Sequence, residues 1–145
     1  MENIEVMFSS ERHDWATPQD FFDELDREFH FDLDVCADRY NAKCDNYFTE
    51  EIDGLSQDWG GHSCFMNPPY GKAIKDWVRK GYLEGQKPGT TVVMLIPART
   101  DTKYFHEYIY HKAEIRFIKG RLKFGNSKNS APFPSMVVIY KGPEA

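Results

Sequence analysis

Asn67-Pro68-Pro69-Tyr70 is the run in this sequence whose residue types can do chemistry together. Asn67 brings a side-chain carbonyl oxygen, and Pro68 brings a backbone carbonyl on a chain that two prolines stiffen. Tyr70 adds a flat aromatic face on that rigid support. A planar group bearing an NH2 fits the set: Asn67 Oδ1 and the Pro68 carbonyl accept its two hydrogens, and Tyr70 stacks on its ring. The amine of a heteroaromatic ring is a poor nucleophile, because its lone pair is delocalised. Two acceptors aimed at its hydrogens favour a pyramidal nitrogen and redirect the lone pair toward an electrophile held in line. If that electrophile is a methyl on a sulfonium, the leaving group is already activated and no strong general base is required. Catalysis of this kind rests on positioning and electrostatics. The plainer reading of the same four residues is a rigid turn that closes a strand.

Such a clamp has to be held by a strand end. Cys64-Phe65-Met66 is a short apolar run stopped at Asn67, since neither following proline can continue a ladder. In an open α/β sheet, ligands bind just beyond the carboxyl ends of the strands, which puts Asn67 at that rim. Upstream, Thr17-Pro18-Gln19-Asp20 reads as a helix start with Thr17 at the N-cap. Phe21, Phe22, Leu25 and Phe29 then share one face, so the spacing predicts an amphipathic helix over 18–29. Phe31 to Cys36 alternates as a strand running into a turn, and a polar stretch follows from Ala37 to Trp59. Ile74, Trp77, Val78 and Tyr82 predict a helix over 73–84, and Tyr104, Phe105, Tyr108 and Ile109 another. Thr91 to Ile96 is an uninterrupted aliphatic run, as in a strand buried on both faces. Glu114 to Ile118 and Met136 to Tyr140 are the last two strands, separated by a long Gly/Asn/Ser/Pro loop. Strands alternating with helices argue for an α/β domain with a largely parallel sheet.

The chain has 145 residues, enough for one core; residues 14–145 read as a single domain and 1–13 as a flexible arm. No apolar run approaches a membrane span and the start carries no signal-peptide pattern, so the cytoplasm is the expected compartment. Cys36, Cys44 and Cys64 include no CxxC pair and suit neither a disulfide framework nor a zinc site; no metal is expected. The net charge of −5 conceals an asymmetry. Residues 1–71 carry 17 acidic and 4 basic side chains, whereas residues 72–145 carry 6 acidic and 14 basic. Phosphate binding needs a local basic surface, and Lys119, Arg121, Lys123 and Lys128 lie among Phe117, Phe124 and Gly125. A solvated loop of ordinary lysine content explains that stretch equally well.

Taken in order, Trp15-Ala16-Thr17-Pro18, Phe31 to Ala37, Asn41 to Cys44, Tyr47-Phe48, Asp53-Gly54-Leu55, Trp59, Asn67 to Gly71, Pro97 to Thr100, Gly120 to Phe124 and Pro134-Ser135 form a pattern. In that pattern the chain resembles the phage-type, Dam-like DNA adenine-N6 methyltransferases over roughly residues 13–141. The resemblance implies S-adenosylmethionine as cofactor and DNA as partner, with no obligate protein partner evident. It also implies a Rossmann-like methyltransferase fold whose mostly parallel sheet has an antiparallel last strand, and a host-cytoplasm location if the chain is phage-encoded. The target adenine must then be flipped from the duplex, at a cost of a few kcal/mol.

By the same resemblance Asn67, Pro68, Pro69 and Tyr70 are the catalytic set. Thr17 and Pro18 contact the methionyl part of the donor, Asp34 faces its ammonium, Asp53 and Phe65 meet its adenine, and Trp15, Cys36 and Ala37 are further cofactor-binding residues. Arg121 to Phe124, with Phe133, covers the flipped base and touches phosphates; Arg99, Lys119 and Lys128 complete the basic surface. Plainer roles stand beside these. Asp34 and Asp53 could cap turns, Thr17 its helix, and Arg99 could pair with Asp101. His106 and His111 carry no ligand spacing and read as structural.

Two departures matter. Asp34-Val35-Cys36-Ala37-Asp38 stands where methyltransferases usually show Gly-x-Gly, and the 29 residues of 38–66 are too few for two strand–helix units. The cofactor half is therefore abbreviated. No stretch is long enough for a separate target-recognition domain, which implies short or loose specificity. Cytosine N4, an RNA base or a protein glutamine are alternative planar amines, and a silent nucleic-acid-binding module is the alternative from another class.

Overall fold

The computed structural model describes residues 16–125 and 129–145. The expected arm over 1–13, Trp15 and Lys128 lie outside the described residues.

Five strands make one sheet: β1 (Leu33–Asp34), β2 (Ser63–Met66), β3 (Thr91–Pro97), β4 (Glu114–Phe117) and β5 (Ser135–Lys141). Their order across the sheet is β1-β2-β3-β5-β4. The first three are parallel, while β5 runs antiparallel to both β3 and β4. The last strand is thus the single reversed one, slotted between two that share a direction. Its topological effect is to bring four carboxyl ends, Asp34, Met66, Pro97 and Phe117, to one rim, where β5 begins at Ser135.

Alternation along the strands builds two cores. Phe65, Val93, Leu95, Val137 and Ile139 face helix α1 (Gln19–Phe29), which buries Phe22, Leu25 and Phe29. Cys64, Met66, Val92, Met94, Ile96 and Val138 face helix α2 (Ile74–Glu84) and a short helical turn at Phe105–Ile109. The sheet is therefore covered on both sides, as uninterrupted apolar strands require. Gly81 lets α2 approach: a Cβ there would lie 2.9 Å from Met94 Sδ. At the last turn of α2, Glu84 is buried and accepts from the Trp59 N–H at 2.6 Å, Lys80 at 3.1 Å and Lys87 at 2.9 Å. Burial opposes ionisation of Glu84, but these donors outweigh it and hold its carboxyl below the usual range. The network ties the Trp59 loop to α2, with the Trp59 and Trp77 rings stacked at 6.4 Å.

Three boundaries differ from expectation. Pro18, not Thr17, stands at the cap of α1, because its ψ of 133° is still extended and its carbonyl accepts the first helical bond, from Phe22. The strand expected over 31–36 contracts to Leu33–Asp34. Asp34 turns its carboxylate back to accept the Cys36 N–H at 3.3 Å, and that local bond bends the chain out of the ladder. Tyr47 then bridges Asp34 from the outer side, so the polar stretch covers the edge of β1 with a minimal parallel rung. The helix expected around Tyr104 to Ile109 is present but widened into a π-helical segment, Phe105–Ile109, in which the Tyr110 N–H reaches the carbonyl of Phe105 five residues back. That spacing brings Tyr104 and Ile109 onto one face, and both are buried.

Cys36 and Cys64 are buried and Cys44 half-buried, all as free thiols. Burial, reinforced by Asp34 and other acids, pushes the Cys44 thiol up to about 12, so it is not a reactive thiolate. No helix among the described residues is long and apolar enough to cross a membrane.

Candidate active site

Asn67 follows the last residue of β2, and Pro68 behind it is buried while Asn67, Pro69 and Tyr70 are half-buried. The Tyr70 hydroxyl lies 2.6 Å from Asn67 Oδ1 and 3.2 Å from the carbonyl oxygen of Leu95 on β3. Burial pushes its phenol well above the ordinary value, so it stays a neutral proton donor. Its ring meets Phe133 and Phe124 nearly edge to face, with centroids 5.6 Å and 6.2 Å away. Phe124 and Phe133 are themselves 6.1 Å apart. Three rings from two distant segments thus gather around the clamp, which is how the loop between β4 and β5 reaches the end of β2. The loop is pinned by the Ala131 N–H donating to Leu122 O at 2.8 Å and the Ala98 N–H donating to Pro134 O at 2.9 Å.

Phe124 needs correction as an expected DNA contact. It is only 2% exposed and packs against the α1-facing core, so it shapes the clamp from within. Phe133 is half-buried beside it. Lys119, Arg121 and Lys123 are exposed on the same loop, with Arg121 Nη1 donating to the Ala131 carbonyl at 3.4 Å. Arg99 is exposed just past β3, and no ion pair joins it to Asp101 among the described residues. Arg99, Lys119, Arg121 and Lys123 therefore follow strand ends on the rim that holds Asn67.

On the other flank of the rim a cavity of about 400 Å³ is lined by Ala16, Thr17, Pro18, Gln19, Tyr40, Asn41, Lys43 and Gly125. Thr17 and Pro18 are among its lining residues. Asp34 does not line it but is bonded to a residue that does. This carboxylate is only 3% exposed, and its Oδ2 accepts the N–H of the cavity residue Lys43 at 3.0 Å. Lys43 Nζ in turn donates to Gln19 at 2.9 Å. Burial pushes the Lys43 ammonium below its ordinary value, against the pull of Asp34 and Asp23.

The other expected donor contacts divide. Cys36 and Ala37 are buried just beyond β1, in the turn that Asp34 holds. Asp53 is exposed, adopts φ 63° and accepts the Leu55 N–H at 3.3 Å, which is turn-capping geometry. Its neighbour Gly54 abuts the end of β1: a Cβ there would lie 2.2 Å from Val35 O and 3.1 Å from Trp77. Only glycine fits, which explains the Asp-Gly-Leu run and brings Asp53 to the same rim. Phe65 is the misplaced residue. It is 1% exposed and enclosed by Phe22 at 5.1 Å and Phe31 at 5.4 Å, with no face left for a ligand ring. A strand residue pointing opposite to Met66 has to enter the α1 core.

Ala16, Gln19, Tyr40, Asn41, Lys43 and Gly125 line the cavity without having been expected as site residues. Asn41 and Lys43 had a signal, the short polar run directly after the Asp34 turn. Gly125 had almost none; its N–H donates to Ala16 O at 2.8 Å and so joins the basic loop to the start of α1.

A family model described as DNA N-6-adenine-methyltransferase (Dam) matches residues 6–143. The DNA N-6-adenine-methyltransferase of Haemophilus phage HP1 (strain HP1c1) is 33% identical over 140 residues, which is 91% of this chain and 80% of that protein. The DNA N-6-adenine-methyltransferase of Escherichia phage T1 is 30% identical over 110 residues, 74% of this chain but only 45% of that protein.

Proposed function

The chain belongs to the DNA N-6-adenine-methyltransferase (Dam) family, and from that membership we propose how its own residues carry out the reaction. It is an adenine-specific DNA methyltransferase. The observation that carries the residue-level reading is the clamp itself: Asn67 stands at the end of β2 with its amide held by Tyr70, inside an aromatic cluster on the carboxyl rim. Asn67 Oδ1 and the Pro68 carbonyl accept the two hydrogens of the adenine amine, and the Tyr70 cluster receives the flipped ring. The order β1-β2-β3-β5-β4, with its one reversed strand, suits a Rossmann-like methyltransferase sheet shortened at the β1 edge.

S-adenosylmethionine is the methyl donor in this reading. The cavity of about 400 Å³ lies within the ~300–1,000 Å³ range of small-molecule sites. Its residues also suit a zwitterionic ligand: backbone at the start of α1, amides from Gln19 and Asn41, and the Asp34 carboxylate behind Lys43. Thr17 and Pro18 hold the methionyl chain, Asp34 with Cys36 and Ala37 orients the ammonium, and Asp53 meets the adenosine end. When bound, the donor supplies a methyl group already activated on a sulfonium. The protein's work is then to strip water from the amine, hold it by two acceptors and let its proton leave afterwards.

Tritiated donor, unmethylated DNA and digestion of the product to nucleosides test this reading. Label is expected in N6-methyl-2′-deoxyadenosine. Label in cytosine instead, or transfer to RNA or peptide with none to DNA, overturns it.

The exposed cations of the β4–β5 loop meet the DNA phosphates in this reading. Replacing Lys119, Arg121 and Lys123 together by alanine is expected to lower the slope of log affinity against log salt by about 2.7, roughly 0.9 for each phosphate no longer neutralised. Fluorescence anisotropy across a salt series measures it, and an unchanged slope removes these residues from the interface.

A further inference from the structure

The Tyr70 hydroxyl has one proton and two oxygens in reach, Asn67 Oδ1 at 2.6 Å and Leu95 O at 3.2 Å. Why Leu95 is one of them follows from the ladder. The β2–β3 pairs run from Ser63↔Thr91 to Met66↔Met94, and the Thr91 N–H donates to His62 O. Carried on with the two-residue period of parallel strands, that pattern assigns the Leu95 carbonyl to the N–H of residue 68. Residue 68 is proline and has none. The phenol therefore stands where the missing rung would donate, one bond rotation away from the amide of Asn67.

We propose that the Tyr70 hydroxyl is a placeholder for the target amine. In the state seen here its proton sits on Asn67 Oδ1. When an amine N–H arrives at that oxygen, the hydroxyl turns its proton to the Leu95 carbonyl. No covalent bond changes; one hydrogen bond is exchanged for another. Tyr70 is in this respect a positioning residue, additional to the stacking role of its ring. The exchange keeps Oδ1 aimed and supplied with a donor before substrate binds, where a desolvated acceptor left without one costs about 1–3 kcal/mol. It also leaves the Leu95 carbonyl satisfied once the amine is bound, which favours the engaged state over the resting one. The elevated phenol pKa keeps the proton in place across the working pH range. The inference rests on the reading of Asn67 as the amine acceptor.

Tyr70→Phe keeps the ring among Phe124 and Phe133 and removes only the hydroxyl. On unmethylated DNA, kcat is expected to fall about tenfold, the effect of losing a hydrogen bond worth about 1.4 kcal/mol. KM for DNA and for donor should stay within about threefold. A kcat within twofold of the unaltered enzyme overturns the proposal. So does a fall in kcat matched by rising KM and a lower Tm, which is the signature of packing alone. Should Tyr70→Phe fail to fold, 3,5-difluorotyrosine at position 70 preserves the shape and makes the phenol more acidic. Its rate profile should then lose activity at lower pH than that of the unaltered enzyme, and an unmoved profile counts against the proposal. If the unaltered enzyme forms no N6-methyladenine, the underlying assignment fails; if it does and both variants match it, only this inference fails.

Discussion

Asn67→Ala is expected to lower the single-turnover rate of DNA methylation by two to three orders of magnitude while leaving donor affinity within about threefold. Removing one preorganised polar group aimed at developing charge costs roughly 10²–10³ in rate. Asn67 fits that description, since it is half-buried at the end of β2 and its amide is held at 2.6 Å by the Tyr70 hydroxyl. Its side chain lines the clamp rather than the cavity formed by Thr17, Pro18, Asn41 and Lys43. The two affinities therefore separate. Rapid-quench methylation and calorimetric titration of the donor measure them independently. Parallel loss of both, with a lower Tm, would give Asn67 a structural role and remove it from the chemistry.

Asp34→Asn is expected to act in the opposite sense, weakening donor binding by about 2–3 kcal/mol, or roughly 30- to 150-fold, in line with a lost hydrogen bond to a charged group. Both oxygens of Asp34 accept from backbone N–H groups, those of Cys36 at 3.3 Å and Lys43 at 3.0 Å. An amide can present an oxygen to only one of them and must turn its own N–H toward the other. The substitution therefore also loosens the turn after β1, and donor affinity has to be compared well below the variant's Tm. The rate at saturating donor should change little, because the Asn67 clamp is on a different strand. Unaltered donor affinity in a folded variant would reduce Asp34 to the turn-holding role that its geometry already fills.

The two variants separate what was legible in the chain from what was not. The clamp was legible because it is contiguous: an apolar run ending at Asn-Pro-Pro-Tyr needs no distant partner to mark a strand end. The long strands β3 and β5 announced themselves as continuous apolar runs and both amphipathic helices through their periodicity, each to within a residue or two. Asp34 was legible as the acid of a strand-to-turn junction, but its two donors were not. One of them, Lys43, lies nine residues on in a stretch without periodicity. The family resemblance located Asp53, and only packing explained the glycine after it, whose absent side chain makes room for the Val35 carbonyl.

Phe65 and Phe124 show why residue type alone misleads. Both are aromatic neighbours of motif residues, and both are sealed in the same core, at 1% and 2% exposure. Which face of β2 looks toward the clamp depends on the pleat and on what covers each side, and neither is written locally. Position, composition and spacing were enough to propose the chemistry of a planar amine, because the candidate acceptors and the ring sit within four consecutive residues. The folded chain alone decided that β5 inserts between β3 and β4, that Phe124 and Phe133 come to rest on Tyr70, and that Gly125 reaches Ala16. The physical reason is the same in each case: burial of apolar surface rewards contacts without regard to their separation along the chain, and the reversed last strand folds the basic loop back onto the rim where the clamp stands.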